Sequence, residues 1–251
     1  MRVFALSDVH IDYDANARWL AGLSRVDYQD DVLILAGDIS DNVALLASCF
    51  ETVAHRFKKV LYVPGNHDLW VIRDNPRRSS FDKFDLVREL ALSFGLSLTP
   101  LRFDALDIVP LFGWYDYSFG MPSRELLDIW ADYRACVWPC DVAGVAARFA
   151  EENAAALQVR GGNIISCSHF LPRIDLMPHY IPPDKRILYP VLGTSRLEAQ
   201  LRALGSRIHV YGHSHVNRQV TIDGVRYINN AFGYPSETRI TAKQLLCVWE
   251  Q

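Results

Sequence analysis

The chain's hydrophobic positions fall into short apolar runs separated by longer amphipathic stretches. Residues 3–7 (VFALS), 31–36 (DVLILA) and 59–64 (KVLYVP) are such runs and predict buried strands. Between the last two, Val43, Leu46, Ala47, Phe50, Val53, Ala54 and Phe57 recur with helical period, and Asp41 is placed to cap that helix. This strand–helix–strand rhythm predicts a largely parallel, helix-covered sheet. A second helix is expected at about 82–94, with Gly95 as its stop, and a third over 141–157. Residues 106–114 and 163–168 continue the strand series. Residues 195–204 form a helix that opens on a Ser195/Glu198 capping box and stops at Gly205. From Arg207 onward the pattern predicts strands at 207–211, 217–222, 225–230 and 240–249, with Asp223-Gly224 as a hairpin turn.

Two segments resist this periodicity. Residues 112–139 carry Trp114, Tyr115, Tyr117, Phe119, Trp130, Tyr133 and Trp138 without a clean repeat. Residues 170–192 carry five prolines, which excludes one helix or a central strand. The apolar content of that second segment predicts a packed, lid-like connection rather than disorder.

Composition narrows the class. The 251 residues are 50% hydrophobic and 22% charged, as in a core-forming globular protein, and the chain is expected to be one domain spanning 1–251. A net charge of -3 provides no strong basic field for a polyanion, so nucleic acid is not the expected partner. Five cysteines, none in a metal-binding pattern, read as reduced thiols in a reducing compartment. The apolar run after Met1 is too short for a signal peptide and no stretch approaches a membrane span, so a cytoplasmic location is expected.

The chemistry lies where the strands end. Asp8-Val9-His10, Gly37-Asp38-Ile39-Ser40-Asp41, Gly65-Asn66-His67-Asp68, Ser168-His169 and Gly212-His213-Ser214-His215 each follow a predicted strand. If those strands were parallel neighbours, all five clusters would share one rim, where open α/β sheets bind ligands. Side chains alternate along a strand, so the outer residues of D-x-H and H-x-H would share a face and reach one ion. The glycines at 37, 65 and 212 would let the backbone approach closely. Three oxygen donors (Asp8, Asp38, Asn66) and four imidazoles (His10, His169, His213, His215) are too many for one tetrahedral ion. They suit two ions sharing a carboxylate.

The ordered series DVH, GDISD, GNHD, SH, GHSH resembles the calcineurin-like metallophosphoesterase superfamily, with every ligand position kept from Asp8 to His215. The resemblance implies an α/β fold of two mixed sheets packed as a sandwich and flanked by helices. It implies that Asp8, His10 and His215 hold one metal and Asn66, His169 and His213 the other, bridged by Asp38. His67 would be the acid or substrate-orienting histidine, paired with Asp41. The metals of such proteins are manganese, iron or zinc, and an oxygen-rich site without cysteine favours the first two. The expected activity is hydrolysis of a phosphomonoester or phosphodiester on a small or medium substrate, by in-line attack of a metal-bridging hydroxide. Asp68 is expected to orient its loop or to serve as a turn residue. Two rival readings are a nuclease on the same site and a silent metal-binding scaffold with a protein partner; the second is disfavoured because no ligand position is lost.

Beyond the motifs, Trp70, Trp114, Tyr115 and Tyr117 could wall a pocket for a flat group, although core packing is the commoner fate of such residues. Arg73, Arg77 and Arg78 could catch a second phosphate, or form a solvated charge run. Arg173 and His179 could reach the substrate from a lid, and Asn229-Asn230 could line the rim or merely end a strand.

Overall fold

A computed structural model of the protein describes residues 1–73 and 78–251. Arg77, one of the arginines considered above, lies outside the described residues. The first apolar runs become β1 (Arg2–Leu6), β2 (Val32–Leu35) and β3 (Lys59–Tyr62), paired in parallel. A last strand, β10 (Leu246–Glu250), pairs antiparallel with β1, giving a four-stranded sheet in the order β10-β1-β2-β3. The second sheet contains β4 (Leu101–Phe103), β5 (Leu106–Pro110), β6 (Ile164–Cys167), β7 (Ile208–Tyr211), β8 (Arg218–Ile222) and β9 (Val225–Asn229). Its order is β4-β5-β6-β7-β9-β8, with antiparallel edges around a parallel centre.

The strand sequences explain the layering. In β1 and β2, Val3, Ala5, Val32 and Ile34 face the second sheet and meet Ile108, Ile165, Cys167, Val210 and Ile228. The alternate residues Phe4, Leu6, Leu33 and Leu35 face helices instead. Both faces are buried, so residues 3–6 and 32–35 are apolar throughout, with no polar alternation. The outer face of the first sheet is covered by α1 (Asp14–Ala21), α2 (Val43–Ala54) and part of α3 (Ser80–Ser93), through Leu20, Leu46, Phe50, Val53, Val87 and Ala91. The outer face of the second is covered by α6 (Val142–Glu152) and α7 (Ser195–Leu204), through Val145, Phe149, Leu197 and Leu201. Each fully buried Leu or Ile contributes roughly 1.5–3 kcal/mol relative to exposure. The result is the helix-flanked, two-sheet sandwich.

Several local expectations shift. The α2 helix is capped by Asn42, whose side chain accepts from the Ala44 and Leu45 N–H groups, and not by Asp41. Thr194 caps α7, and Glu198 does not close a box with Ser195; it accepts from Tyr227 Oη at 2.8 Å and Arg202 Nε at 2.8 Å. A full capping box occurs instead at Ser79 and Asp82, ahead of α3. The expected strand at 240–249 begins only at Leu246. The irregular aromatic segment forms two short helices, α4 (Arg124–Ile129) and α5 (Asp132–Ala135). The proline-rich segment is packed through Phe170, Leu171, Leu176, Val191 and Leu192, all buried.

The two sheets alter the expected geometry of the motifs. Three clusters follow β1, β2 and β3 in one sheet, and two follow β6 and β7 in the other. They share no single rim; two rims face each other. An isolated parallel bridge between Ser7 and Ala231 ties the end of β1 to the segment after β9.

One buried histidine lies outside the motifs. His209 is fully enclosed in β7, with Ser166 Oγ 2.8 Å from Nδ1 and Ser168 Oγ 3.0 Å from Nε2. Burial lowers its pKa from 6.5 to about 3. The unfolded chain therefore takes up a proton that the native state refuses. Stability from this source is complete above about pH 6.5 and falls as pH drops toward 3, by up to about 1.4 kcal/mol per pH unit. The expected result is that His209→Gln lessens the acid sensitivity of the melting temperature between pH 7.5 and 5, measured in chelator. Parallel pH dependences for the two proteins would contradict it.

Candidate metal centre

The backbone departs from strand geometry just where the motifs begin. Among the described residues, seven non-glycine positions have positive φ, and five are Asp8 (53°), His10 (42°), Asp38 (56°), His213 (67°) and His215 (52°). Asp and His tolerate this region better than most residues, and such strain concentrates at functional sites. The outer residues of D-x-H and H-x-H are therefore not aligned by strand alternation. Left-handed turns aim them individually, and the two histidines of H-x-H diverge into different clusters.

Those clusters share one carboxylate. Ligand atoms of Asp8, His10, Asp38 and His215 lie within 4.8 Å of one another, as do those of Asp38, His169 and His213. In the first, His10 Nε2 is 3.1 Å from His215 Nε2, which is 3.3 Å from Asp8 Oδ1. In the second, His169 Nε2 is 3.2 Å from His213 Nδ1, 3.4 Å from Asp38 Oδ1 and 3.1 Å from Asn66 Oδ1. The structure thus gathers all seven candidate ligands, and all are buried.

Close approach explains two of the glycines. A Cβ on Gly37, whose φ is +83°, would sit 2.5 Å from Gly65 N and 2.6 Å from His169 Nδ1. A Cβ on Gly65 would overlap the Asp38 carboxylate and lie 2.6 Å from its backbone nitrogen. The β2 and β3 loops touch at these positions, which brings Asp38 against the second cluster.

Each turn is held by polar contacts. Asp68, fully buried, accepts from the N–H groups of Asp38 (3.0 Å), Ile39 (2.8 Å), Ser40 (3.1 Å) and Gly65 (2.9 Å), and from Tyr62 Oη (2.8 Å). It clamps the Asp38 loop to the Asn66 loop. Burial, then the nearby Asp38 charge, raises its pKa to about 6. Asn229 and Asn230 also tie loops, donating to Gly212 O (3.0 Å) and Ala5 O (2.9 Å).

The outer nitrogens of three imidazoles are committed. His169 Nδ1 donates to Ala36 O at 2.8 Å, and His213 Nε2 donates to Val191 O at 3.1 Å. His215 Nδ1 lies 2.7 Å from Glu237 Oε2. His169 Nε2, His213 Nδ1 and His215 Nε2 therefore face inward. Asn66 is oriented likewise: its Nδ2 donates to Asp132 Oδ1 at 2.9 Å, which turns Oδ1 toward His169. Asp132 also accepts from Trp70 Nε1 (2.7 Å) and Trp130 Nε1 (2.8 Å). Asp132 and Glu237 carry no motif and were not expected. No local signal distinguishes either from other acids in irregular segments.

The electrostatics fit cations. Burial disfavours the charged forms of Asp8 and Asp38, but neighbouring imidazoles more than offset this, and both pKa values are lowered. Burial opposes protonation of His169 and His215, yet Asp38 raises the first to about 9 and Asp8 and Glu237 raise the second to about 10. Burial, with cationic neighbours, takes His10 and His213 down to about 3. The buried carboxylates thus favour positive charge within each cluster. Pairs of ring nitrogens about 3 Å apart beside ionised carboxylates are a donor set that two divalent ions would satisfy.

His67 and Asp41 part company. The His67 ring stacks on Trp70 with centroids 3.8 Å apart and meets His10 edge-on at 4.8 Å. Its Nε2 lies 3.9 Å from Asp38 Oδ2, and its backbone N–H donates to Asp38 Oδ1 at 2.9 Å. Asp41 makes no hydrogen bond to it. Its carboxylate turns instead to Arg73 Nε at 3.3 Å, and its carbonyl accepts from Lys83 Nζ at 2.7 Å. The expected His67–Asp41 pair is thus not joined by a direct hydrogen bond here: Asp41 sits at the turn into α2 with its carboxylate beside Arg73.

The other side chains also sort out. Trp114 and Tyr115 are 1% exposed and pack in the core with Phe149 and Phe170, so they wall no pocket. Trp70 does line the site. Arg173 pairs with Asp175 at 2.7 Å and Glu198 at 3.3 Å. The His179 carbonyl accepts from Arg186 at 3.1 Å.

The family model described as calcineurin-like phosphoesterase matches residues 1–217. An acyl-carrier-protein phosphodiesterase, PptH, from Mycobacterium tuberculosis is 26% identical over 266 aligned residues, covering 94% of this chain and 79% of that protein. The crystal structure of phosphopantetheinyl hydrolase (PptH) from Mycobacterium tuberculosis superposes with a TM-score of 0.83 at 24% identity, covering 100% of this chain and 96% of the other. The crystal structure of TT1561 from Thermus thermophilus gives a TM-score of 0.54 at 13% identity, covering 92% and 89%. These superpositions speak for the fold.

Proposed function

The chain belongs to the calcineurin-like phosphoesterase family and is a metal-dependent phosphoric ester hydrolase; from that premise we propose that it cleaves a phosphodiester at a two-cation centre. Asp8, His10 and His215 hold one ion, Asn66, His169 and His213 the other, and Asp38 is common to both. The observation that carries this reading is the participation of Asp38 in both donor clusters. The nitrogen and oxygen donors include no thiolate, which suits manganese or iron ahead of zinc. Two bound cations supply Lewis acidity toward phosphate oxygens and toward the attacking water.

The chain's own residues do the rest. The loops that Asp68 clamps together fix the distance between clusters. Asp132 and the carbonyls of Ala36 and Val191 hold the donor atoms inward, so little reorganisation precedes binding. His67, with a side chain 21% exposed beside Asp38, is the imidazole able to meet a leaving oxygen and protonate it. Trp70 fixes its plane.

The substrate we propose is a phosphopantetheinyl group joined to a carrier protein through a phosphodiester, on the strength of the relative's activity. Five free cysteines suit a reducing, cytoplasmic setting, and among the described residues no helix is long and apolar enough to cross a membrane.

The test is hydrolysis of a chromogenic diester, a chromogenic monoester and a phosphopantetheinylated carrier protein by the manganese-loaded enzyme. Expected are turnover of the diester, its loss in chelator, and a carrier-protein mass falling to that of the unmodified form. An unchanged carrier with diester turnover would remove the substrate assignment alone. No turnover of any ester with any divalent ion would leave the silent-scaffold alternative standing.

A further inference from the structure

The family model ends at residue 217, yet the segment after β9 reaches the metal centre. Its backbone is tied to the ligand loops at several points. Gly233 N–H donates to Asp8 O at 2.9 Å, and Asn16 Nδ2 joins Val9 O (2.7 Å) to Gly233 O (3.0 Å). Lys243 Nζ donates to the carbonyls of Phe232, Gly233 (3.1 Å) and Tyr234 (2.9 Å). The Tyr234 ring lies over His10, with centroids 4.6 Å apart.

On this anchored turn stands Glu237. One carboxylate oxygen, Oε2, is 2.7 Å from His215 Nδ1 and accepts from the Tyr234 N–H at 2.7 Å. The side chain is 23% exposed, against 11% for His215. The turn is close-packed, since a Cβ on Gly233 would lie 2.6 Å from Glu237 Oε2 and 3.5 Å from His215 Nδ1. The carboxylate is thus held from its own side, by backbone, before it meets the imidazole. That distinguishes it from a surface ion pair, which two mobile side chains must give up entropy to form.

We infer that Glu237 is a positioning residue for the first cation, fixing the His215 ring so that Nε2 points at Asp8 and His10. The inference rests on the two-cation reading above. Glu237 fixes which nitrogen is offered and raises its donor strength, as a carboxylate behind a metal-bound imidazole does. The second cation has its own backing, in Ala36, Val191 and Asp132, and does not depend on this turn.

The test is manganese titration, with free ion followed by electron paramagnetic resonance, on the whole chain. The wild type is expected to bind two equivalents. Glu237→Ala should weaken one site about 10- to 100-fold and leave the other within about threefold. Glu237→Gln keeps a carbonyl that accepts from Nδ1–H but no charge, and should restore part of the loss. His213→Ala removes a ligand of the second cluster only. Combined with Glu237→Ala it should hold no manganese at a concentration where each single variant holds one. Unchanged affinity in both Glu237 variants, or equal weakening of both sites, overturns the inference. If the alanine variant does not fold, the glutamine variant decides by the same criteria. A wild type that binds fewer than two ions overturns the two-cation reading and this inference with it, whereas two ions with insensitive variants overturn only the role of Glu237.

Discussion

Asp38→Asn is expected to weaken both cation positions at once and to lower turnover by about 10³-fold or more. The substitution keeps the size of the side chain and one oxygen that can accept from the His67 N–H, now 2.9 Å from Asp38 Oδ1. It removes the negative charge that the two clusters have in common. Lewis-acid catalysis is worth several kcal/mol of transition-state stabilisation, and about 1.4 kcal/mol corresponds to tenfold in rate, so loss of the shared charge reaches three orders of magnitude. Elemental analysis after dialysis gives the check. His213→Ala, which touches one cluster only, should lose one equivalent; Asp38→Asn should fall short at both. Two full equivalents retained by Asp38→Asn would end the bridging assignment.

The second large effect is on the leaving group. His67→Ala should retain both ions, since the ring is 3.9 Å from Asp38 and lies in neither donor cluster. Turnover should fall about 10²- to 10⁴-fold for an alkyl leaving group, the range of general acid catalysis. It should fall far less for a nitrophenolate, which departs without a proton. A Brønsted series of diesters measures this directly, and the slope against leaving-group pKa should steepen in the variant. An equal loss across the series would argue that the ring only orients the substrate. Loss of the Trp70 stack accompanies the substitution, so Trp70→Phe is the companion variant and should leave the slope near that of the wild type.

Much of the scaffold was legible because its strands are buried on both faces. Val3 to Leu6 and Val32 to Leu35 face the opposite sheet or the helices at every position, and that demand writes an uninterrupted apolar run. The α1 helix was not legible: of its eight residues only Asn16 and Leu20 are buried, too few to impose a period. The edge strand β4, three residues long and only partly buried, left no pattern either. Helix starts were misplaced by one residue at Asn42 and Thr194, since adjacent capping types compete and the backbone path into the helix chooses between them.

The sequence by itself determined the identity and order of the seven candidate metal ligands, because a donor atom's chemistry belongs to the residue type. It also determined that they follow strands, because apolar runs announce themselves. Only the tertiary structure decided that left-handed turns, and not strand alternation, aim the candidate ligands, and that the Asp41 carboxylate meets Arg73. Only the tertiary structure brought Asp132 to Asn66 and Glu237 to His215, contacts spanning 66 and 22 residues of chain. Side-chain direction beyond a strand end depends on backbone torsions, and a hydrogen-bond partner depends on which distant segment packs alongside; neither is encoded in local residue spacing.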